Sequence, residues 1–251
     1  MITIIVGKRK RCKSGLSKML VYDELSGRDK SRYYLAKKDI EELNKKGGNL
    51  SLPPEPHVIF ANDKTYTHFP DFHAYLFDPN KFAIPNDKYD TIRIMPHGTY
   101  IIDECHKYYN SKMKEIDTYK IQAFEISGHY DVNIILIAHR IMQIHKDIRD
   151  LADRIIHVDD SEHTYIINGK KKVKSKPYLK FGELVKTEVW GREFDDVADA
   201  IAYAESTKRD KKKYGKDFDM VFKGNIRACY DPFNLKSVFE KTVKDFDYGR
   251  N

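Results

Sequence analysis

Gly7, Lys13 and Ser14 are spaced as in the pattern G-x-x-x-x-G-K-[ST]. In that pattern consecutive backbone N–H groups curl around phosphate oxygens, the lysine reaches the terminal phosphates and the hydroxyl holds Mg²⁺. Cys12 stands where the second glycine belongs, a small residue whose Cβ is tolerated only if the local dihedrals allow it. Lys8, Arg9, Lys10 and Arg11 make the loop strongly cationic, so its plainer reading is a basic cluster that meets nucleic acid or water. An apolar segment, residues 2–6 (ITIIV), leads into the loop, Gly15 closes it, and helical spacing begins at Leu16. That order of strand, loop and helix favours the phosphate-binding reading, with ATP and Mg²⁺ as the cofactors.

Two carboxylates supply what such a loop lacks. Residues 98–104 (GTYIIDE) read as an apolar strand ending in Asp103 and Glu104, the form of a Walker B strand. Such a strand is expected directly beside the P-loop strand. Asp103 then joins Ser14 at the metal, while Glu104, pointing elsewhere from the next position, polarises the attacking water. The alternative is an edge strand that finishes in a solvated acidic turn. Residues 132–138 (VNIILIA) form a third strand, ending at His139-Arg140. Carboxyl ends of parallel strands border the ligand crevice, so His139 is either a group that senses the γ-phosphate or a helix cap.

These groups need a sheet to hold them, and further segments can build it. Residues 57–61 (HVIFA) and 91–95 (TIRIM) read as strands. Helices are expected over 16–25 with a stop at Gly27, around 38–45 before Gly47-Gly48, over 105–128, and over 141–156, which carries Arg149 and Arg154. Pro53, Pro54 and Pro56 mark a connection. From 154 to 190 the signals become those of a β-hairpin turning at Asn168-Gly169, and 195–206 has the spacing of an amphipathic helix. Beyond Lys208 the chain is charged and carries no clear element.

At 251 residues and 41% hydrophobic composition the chain can bury one substantial core and is not a disordered polymer. No apolar run approaches the roughly 20 residues that span a bilayer. Met1 leads straight into the first strand, so a soluble, cytoplasmic protein is expected. Cys12, Cys105 and Cys229 are too few for a disulfide framework or a zinc site and are expected as thiols. Cys12 closes the cationic loop and Cys105 follows Glu104, so the two are expected as neighbours with lowered pKa and raised reactivity. The formal charge of +7 favours a polyanionic partner, and basic residues gather at 8–13, 170–176 and 208–213. Any one of these runs can equally be a solvated face.

The N-terminal P-loop, the run YIIDE followed by an expected long helix, and the stretch NIILIAHRIMQIHKDIRDLADRIIHV together resemble the zonular occludens toxin-like (Zot) domain, which includes filamentous phage assembly ATPases. The resemblance spans about residues 2–158 and implies an α/β P-loop NTPase fold of the RecA-like, FtsK/HerA type. A central, mainly parallel sheet is flanked by helices, with a small C-terminal β-hairpin and helix extension. The corresponding division is 1–160 for the ATPase core, 161–206 for the extension and 207–251 for a charged tail. Cys12 replaces the family's glycine and His139 its usual amide, and the membrane helix that often follows the domain is not found.

The resemblance further implies that Gly7, Lys13 and Ser14 hold phosphates and Mg²⁺, that Asp103 and Glu104 serve metal and water, and that His139 is the sensor. A neighbouring subunit would donate an arginine, Arg149 first and Arg140 or Arg154 behind it, unless each merely pairs with Asp147, Asp150 or Asp153. The function implied is an ATP-driven nucleic-acid motor for viral or phage DNA packaging or extrusion. It would work as a homo-oligomeric ring that contacts DNA mainly through the backbone, partnered by a capsid or membrane assembly protein and located in the host cytoplasm or at an assembly site. A P-loop kinase of a small acceptor and a non-hydrolysing scaffold with a degenerate loop are the rival readings.

Overall fold

All five residues of the first strand, β1 (Ile2–Val6), are buried, the mark of a strand covered on both faces. The computed structural model describes residues 1–9, 11–22, 37–48, 58–63, 73–82, 84–86, 91–93, 98–174, 183–207, 210–223 and 244–245. After β1 come α1 (Lys13–Leu20), α2 (37–45), β2 (Val58–Ala61), β3 (His73–Leu76), β4 (Ile84–Asn86), β5 (Thr91–Arg93), β6 (Gly98–Ile102) and α3 (Thr118–Ile126). Then follow β7 (Asn133–Ile137), the single turn α4 (Lys146–Arg149), β8 (Arg154–Ile167), β9 (Lys170–Lys174), β10 (Glu183–Phe194), α5 (Val197–Glu205), β11 (Lys216–Lys223) and β12 (Lys244–Asp245).

The main sheet runs β11-β10-β8-β1-β7-β6-β2-β3-β12, with β9 also paired to β8. From β8 to β12 every neighbouring pair is parallel, whereas β8, β10 and β11 pair antiparallel. This is the expected α/β architecture with a mainly parallel sheet and a hairpin extension. One expectation is overturned: β6 does not lie beside β1. β7 stands between them, its Ile134 paired with Ile2 on one side and Tyr100 on the other. The physical reason is burial, because β7 (NIILI) is as apolar as β1 and fully buried, so it occupies the sheet centre.

Alternation along the strands sorts the core into two layers. Ile4, Tyr100, Ile102, Ile134 and Leu136 meet Phe124 of α3, Ile148 of α4 and Tyr203 of α5. Ile5, Ile101, Ile135 and Ile137 meet Leu16, Met19 and Leu20 of α1 on the opposite face. Tyr100 stacks on Phe60 at 4.5 Å between ring centroids and takes the edge of Phe82 at 4.9 Å.

Two expected long helices are much shorter. Within 105–128 only α3 is α-helical; a 3₁₀ turn at Cys105–Lys107 precedes an irregular segment from which Tyr109 and Ile116 enter the core and the Tyr109 hydroxyl donates to Pro79 O at 3.1 Å. Within 141–156 the chain makes a 3₁₀ turn (Ile141–Gln143), then α4, and from Arg154 it is strand. Ile141, Ile144 and Ile148 still bury together, but residues 154–157 pair with β1, and that pairing overrides the helical spacing.

Several local readings agree with the structure. Asn168 and Gly169 take φ of 50° and 71°, as a two-residue hairpin turn requires, and join β8 to β9. Asp196 caps α5, accepting from Ala198 N and Asp199 N, and Gly47 turns the chain after α2 with φ 95°. The strand read at 91–95 forms only a small antiparallel pair with β4. β3 and β11 have no counterpart in the sequence reading. β11 pairs with β10 from Lys216 to Lys223, and Arg192 fastens the connection before it by donating to Tyr214 O and Gly215 O at 2.6 Å. β8 continues unbroken through residue 160.

The helix end near Gly27, the prolines at 53, 54 and 56, Lys10 and Cys229 lie outside the described residues. Among the described residues no helix is long and apolar enough to cross a membrane. Replacement of Asp196 by Ala is expected to destabilise the fold by about 1 kcal/mol, and Asp196→Asn by much less, measurable by urea unfolding.

Candidate functional site

The loop after β1 is shaped by steric exclusion. Gly7 has φ 146°, and a Cβ there would stand 2.6 Å from Val158 O on β8, so glycine is required on both counts. Its N–H points to His139 O at 3.4 Å, which ties the loop to the end of β7. Arg11 forms an ion pair with Asp160 of β8; burial alone would raise that carboxyl, but the guanidinium and the Ser161 N–H hold it below the usual carboxylate range.

Cys12 resolves the departure at the second glycine. It caps α1 with φ 58° and ψ 26°, the left-handed conformation glycine adopts freely, and its sulfur occupies the space over Gly15, where a Cβ would lie 2.3 Å from Sγ. The cysteine is accommodated because the next small residue makes room. The expected thiol activation is not found. Burial pushes the Cys12 thiol up to about 12, and burial together with Asp103 and Glu104 pushes Cys105 up as well. Nor do the two belong to one cluster, since Cys12 packs with the α1 layer and Cys105 with the opposite layer.

Lys13, Ser14, Asp103, Glu104 and His139 come together at the carboxyl ends of β1, β6 and β7. Ser14 Oγ donates to Asp103 Oδ2 at 2.8 Å, although β7 separates the two strands. Lys13 Nζ donates to Lys8 O at 3.1 Å and lies 3.3 Å from His139 Nδ1; it is 8% exposed, and burial pulls its pKa down against the opposing pull of Asp103 and Glu104. His139 is likewise lowered, by burial first and Lys13 next, while Glu104 works the other way. A neutral imidazole that accepts from Lys13 at Nδ1 carries its proton at Nε2, facing Glu104 Oε1 at 3.2 Å. Arg9 Nε reaches the same Nε2 only at 3.4 Å.

Two residues that the sequence reading passed over hold the carboxylates in place. Asn62 follows β2 and extends the ladder with its side chain: Oδ1 accepts from Asp103 N at 2.7 Å, and Nδ2 donates to Asp103 O at 2.9 Å. The available signal was an amide directly after a strand whose neighbour ends in the acidic pair. His106 places Nε2 3.4 Å from Glu104 Oε2, its ring 5.9 Å from that of His139, so Glu104 lies between two imidazoles. Glu104 itself has φ 52°, which turns the chain sharply after Asp103.

The arginines do not converge here. Arg149 is 9% exposed, with Nη1 3.3 Å from Met142 Sδ and Nε 3.6 Å from Asp150 Oδ1, so it is not presented to a neighbouring molecule. Arg154 is held by Glu193 through bonds of 2.7 and 2.9 Å. Arg140 is exposed, its backbone N–H taken by Gln143 Oε1 at 3.1 Å. Lys8 and Arg9 are exposed on the loop. A hydroxyl and a carboxylate within 3 Å at the metal position, beside a lysine and a glycine-shaped loop, fit a nucleoside triphosphate with Mg²⁺.

The zonular occludens toxin (Zot) family model matches residues 80–181, which bears out the resemblance read from the sequence. The matched span contains Asp103, Glu104 and His139 and leaves out the phosphate loop. No curated protein matches the chain. The N-terminal domain of zonular occludens toxin from Neisseria meningitidis is similar at 13% identity over 92% of this chain and 98% of its own, with a TM-score of 0.47. The genome packaging NTPase B204 from Sulfolobus turreted icosahedral virus 2 is similar in complex with AMPPCP (13% identity, 62% of this chain and 73% of its own, TM-score 0.36). Its complex with ATP-gammaS is similar too (14%, 62% and 72%, TM-score 0.37).

Two outcomes check the site. Gly15→Ala should cost about 1–3 kcal/mol through the contact with Cys12 Sγ, and adding Cys12→Gly should recover most of the loss; a double-mutant cycle of thermal stability and nucleotide-analogue affinity reads the coupling. In an ATP hydrolysis assay His106→Ala should lower kcat about tenfold with KM little changed, through loss of the imidazole beside Glu104, and His106→Gln should restore part of it.

Proposed function

We propose that this chain, with its Zot-family match and its phosphate loop at the sheet centre, is an Mg²⁺-dependent ATPase that drives DNA movement in viral or phage assembly. The observation that carries the reading is the 2.8 Å contact between Ser14 and Asp103, which joins the two halves of a P-loop metal site across an intervening strand. Binding of a nucleoside triphosphate is supported by the lysine, hydroxyl and carboxylate that meet beside the glycine-shaped loop. The chain moves DNA as a homo-oligomeric ring.

In this reading Gly7 to Gly15 wrap the phosphates with backbone N–H groups, Lys13 moves from Lys8 O to the terminal phosphates, and Ser14 and Asp103 bind the metal. Bound Mg²⁺ would neutralise charge on the phosphate oxygens. Glu104 orients a water and takes its proton, and His139 positions Glu104 and monitors the γ-phosphate side. The exposed Arg140, next to His139, replaces Arg149 as the arginine offered to a neighbouring subunit. Its positive charge would act on the phosphate charge that develops as the leaving bond breaks.

The test is an ATPase assay on the full chain with and without DNA, coupled to size measurement. Lys13→Ala should abolish nucleotide binding, whereas Glu104→Gln should bind ATP and hydrolyse it at least about a hundredfold more slowly. DNA should raise the wild-type rate and the oligomeric state. Nucleotide binding by Lys13→Ala equal to wild type overturns the site; a rate and size indifferent to DNA overturn the motor.

A further inference from the structure

The first half of β8 pairs with β1 at residues 154–157, and its second half pairs with β9 at 163–167, while β10 runs along the other edge of both halves. β1 and β9 therefore share one edge of β8. The near end of β9, Lys174, pairs with His163, six residues along β8 from the His157 that pairs with the end of β1, about 20 Å further in the direction in which β1 delivers the loop. The hairpin thus projects past the nucleotide end of the sheet, with Lys174 nearest the loop and Lys170 at the tip.

The strand's sequence is KKKVK and all five of its residues are exposed. Alternation places Lys170, Lys172 and Lys174 on one side and Lys171 on the other. Lys170, Lys171 and Lys172 form no ion pair among the described residues. Three successive lysines with no ion pair among the described residues, Lys170 to Lys172, make a dense positive edge on a strand about 15 Å long that is paired to β8 rather than carried on a loose tail.

We infer that the β8–β9 hairpin is a contact arm for the phosphate backbone of DNA, set beside the nucleotide site by the shared edge of β8. The partner is chosen by charge: evenly spaced lysines on an extended strand meet a regular array of phosphates and carry no means of reading bases. The inference deepens the motor reading and rests on it only for the link between arm and ATP. Lysines on an edge strand have a second use, to keep sheet edges of different molecules apart, and this competes directly.

The experiment compares wild type with Lys170→Ala/Lys171→Ala/Lys172→Ala, using fluorescence anisotropy with random-sequence single- and double-stranded oligonucleotides from 50 to 300 mM salt. The expected result is at least about a tenfold weaker affinity at low salt and a salt slope smaller by about 2 to 3, with sequence immaterial. Thermal unfolding and size-exclusion profiles establish that the variant is folded and monodisperse. Unchanged affinity and slope overturn the inference, as does a variant that self-associates while binding DNA normally, which would assign the lysines to edge protection. Wild-type binding to phosphatidylserine vesicles but not to either oligonucleotide overturns it in favour of a membrane surface. ATP binding is measured in parallel: a chain that binds no nucleotide yet loses DNA affinity in the lysine variant keeps the arm and discards the ATPase.

Discussion

The hydrogen bond between Ser14 and Asp103 depends on the whole sheet. Ser14 stands in the first turn of α1, on the loop that follows β1, and Asp103 directly follows β6, so their approach to 2.8 Å depends on β7 pairing in register with both β1 and β6. That condition is met by five consecutive buried residues in each of β1, β6 and β7. Asn62 then extends the β2–β6 ladder by one side-chain pair and fixes the height of Asp103 above the sheet. The meeting of these two side chains is therefore set by core packing of the strands beneath them.

Around that contact the site shows two adjustments. Cys12 adopts a left-handed conformation that costs an L-residue roughly 1–2 kcal/mol, and the loop tolerates it because Gly15 leaves a pocket for the sulfur. Glu104 is bracketed by His139 and His106, one of which also faces the ammonium of Lys13. A single imidazole thereby stands between the Lys13 ammonium and the Glu104 carboxylate.

The antiparallel half of the molecule is joined to the parallel half by one strand. β8 belongs to both halves: its first residues support Gly7 and Arg11 through Val158 and Asp160, and its last residues carry the basic hairpin. One strand of 14 residues thus spans from the phosphate loop to an exposed cationic edge. Arg154 and Arg192 hold β10 and the approach to β11 against it, which keeps the extension in fixed orientation to the core.

Much of this was legible from residue order. The loop from Gly7 to Ser14, the strand ending in Asp103-Glu104, the strand ending at His139 and the turn at Asn168-Gly169 are local patterns, because each depends on dihedral freedom or alternation within a few residues. What lay beyond them was non-local. The place of β7 between β1 and β6, the pairing as strand of residues 154–156 that close the expected helix, the inward turn of Arg149 and the support from Asn62 and His106 all come from groups far apart in the chain. Residue types and spacing determined which groups could do chemistry; competition among apolar segments for the doubly covered centre of the sheet decided which of them meet.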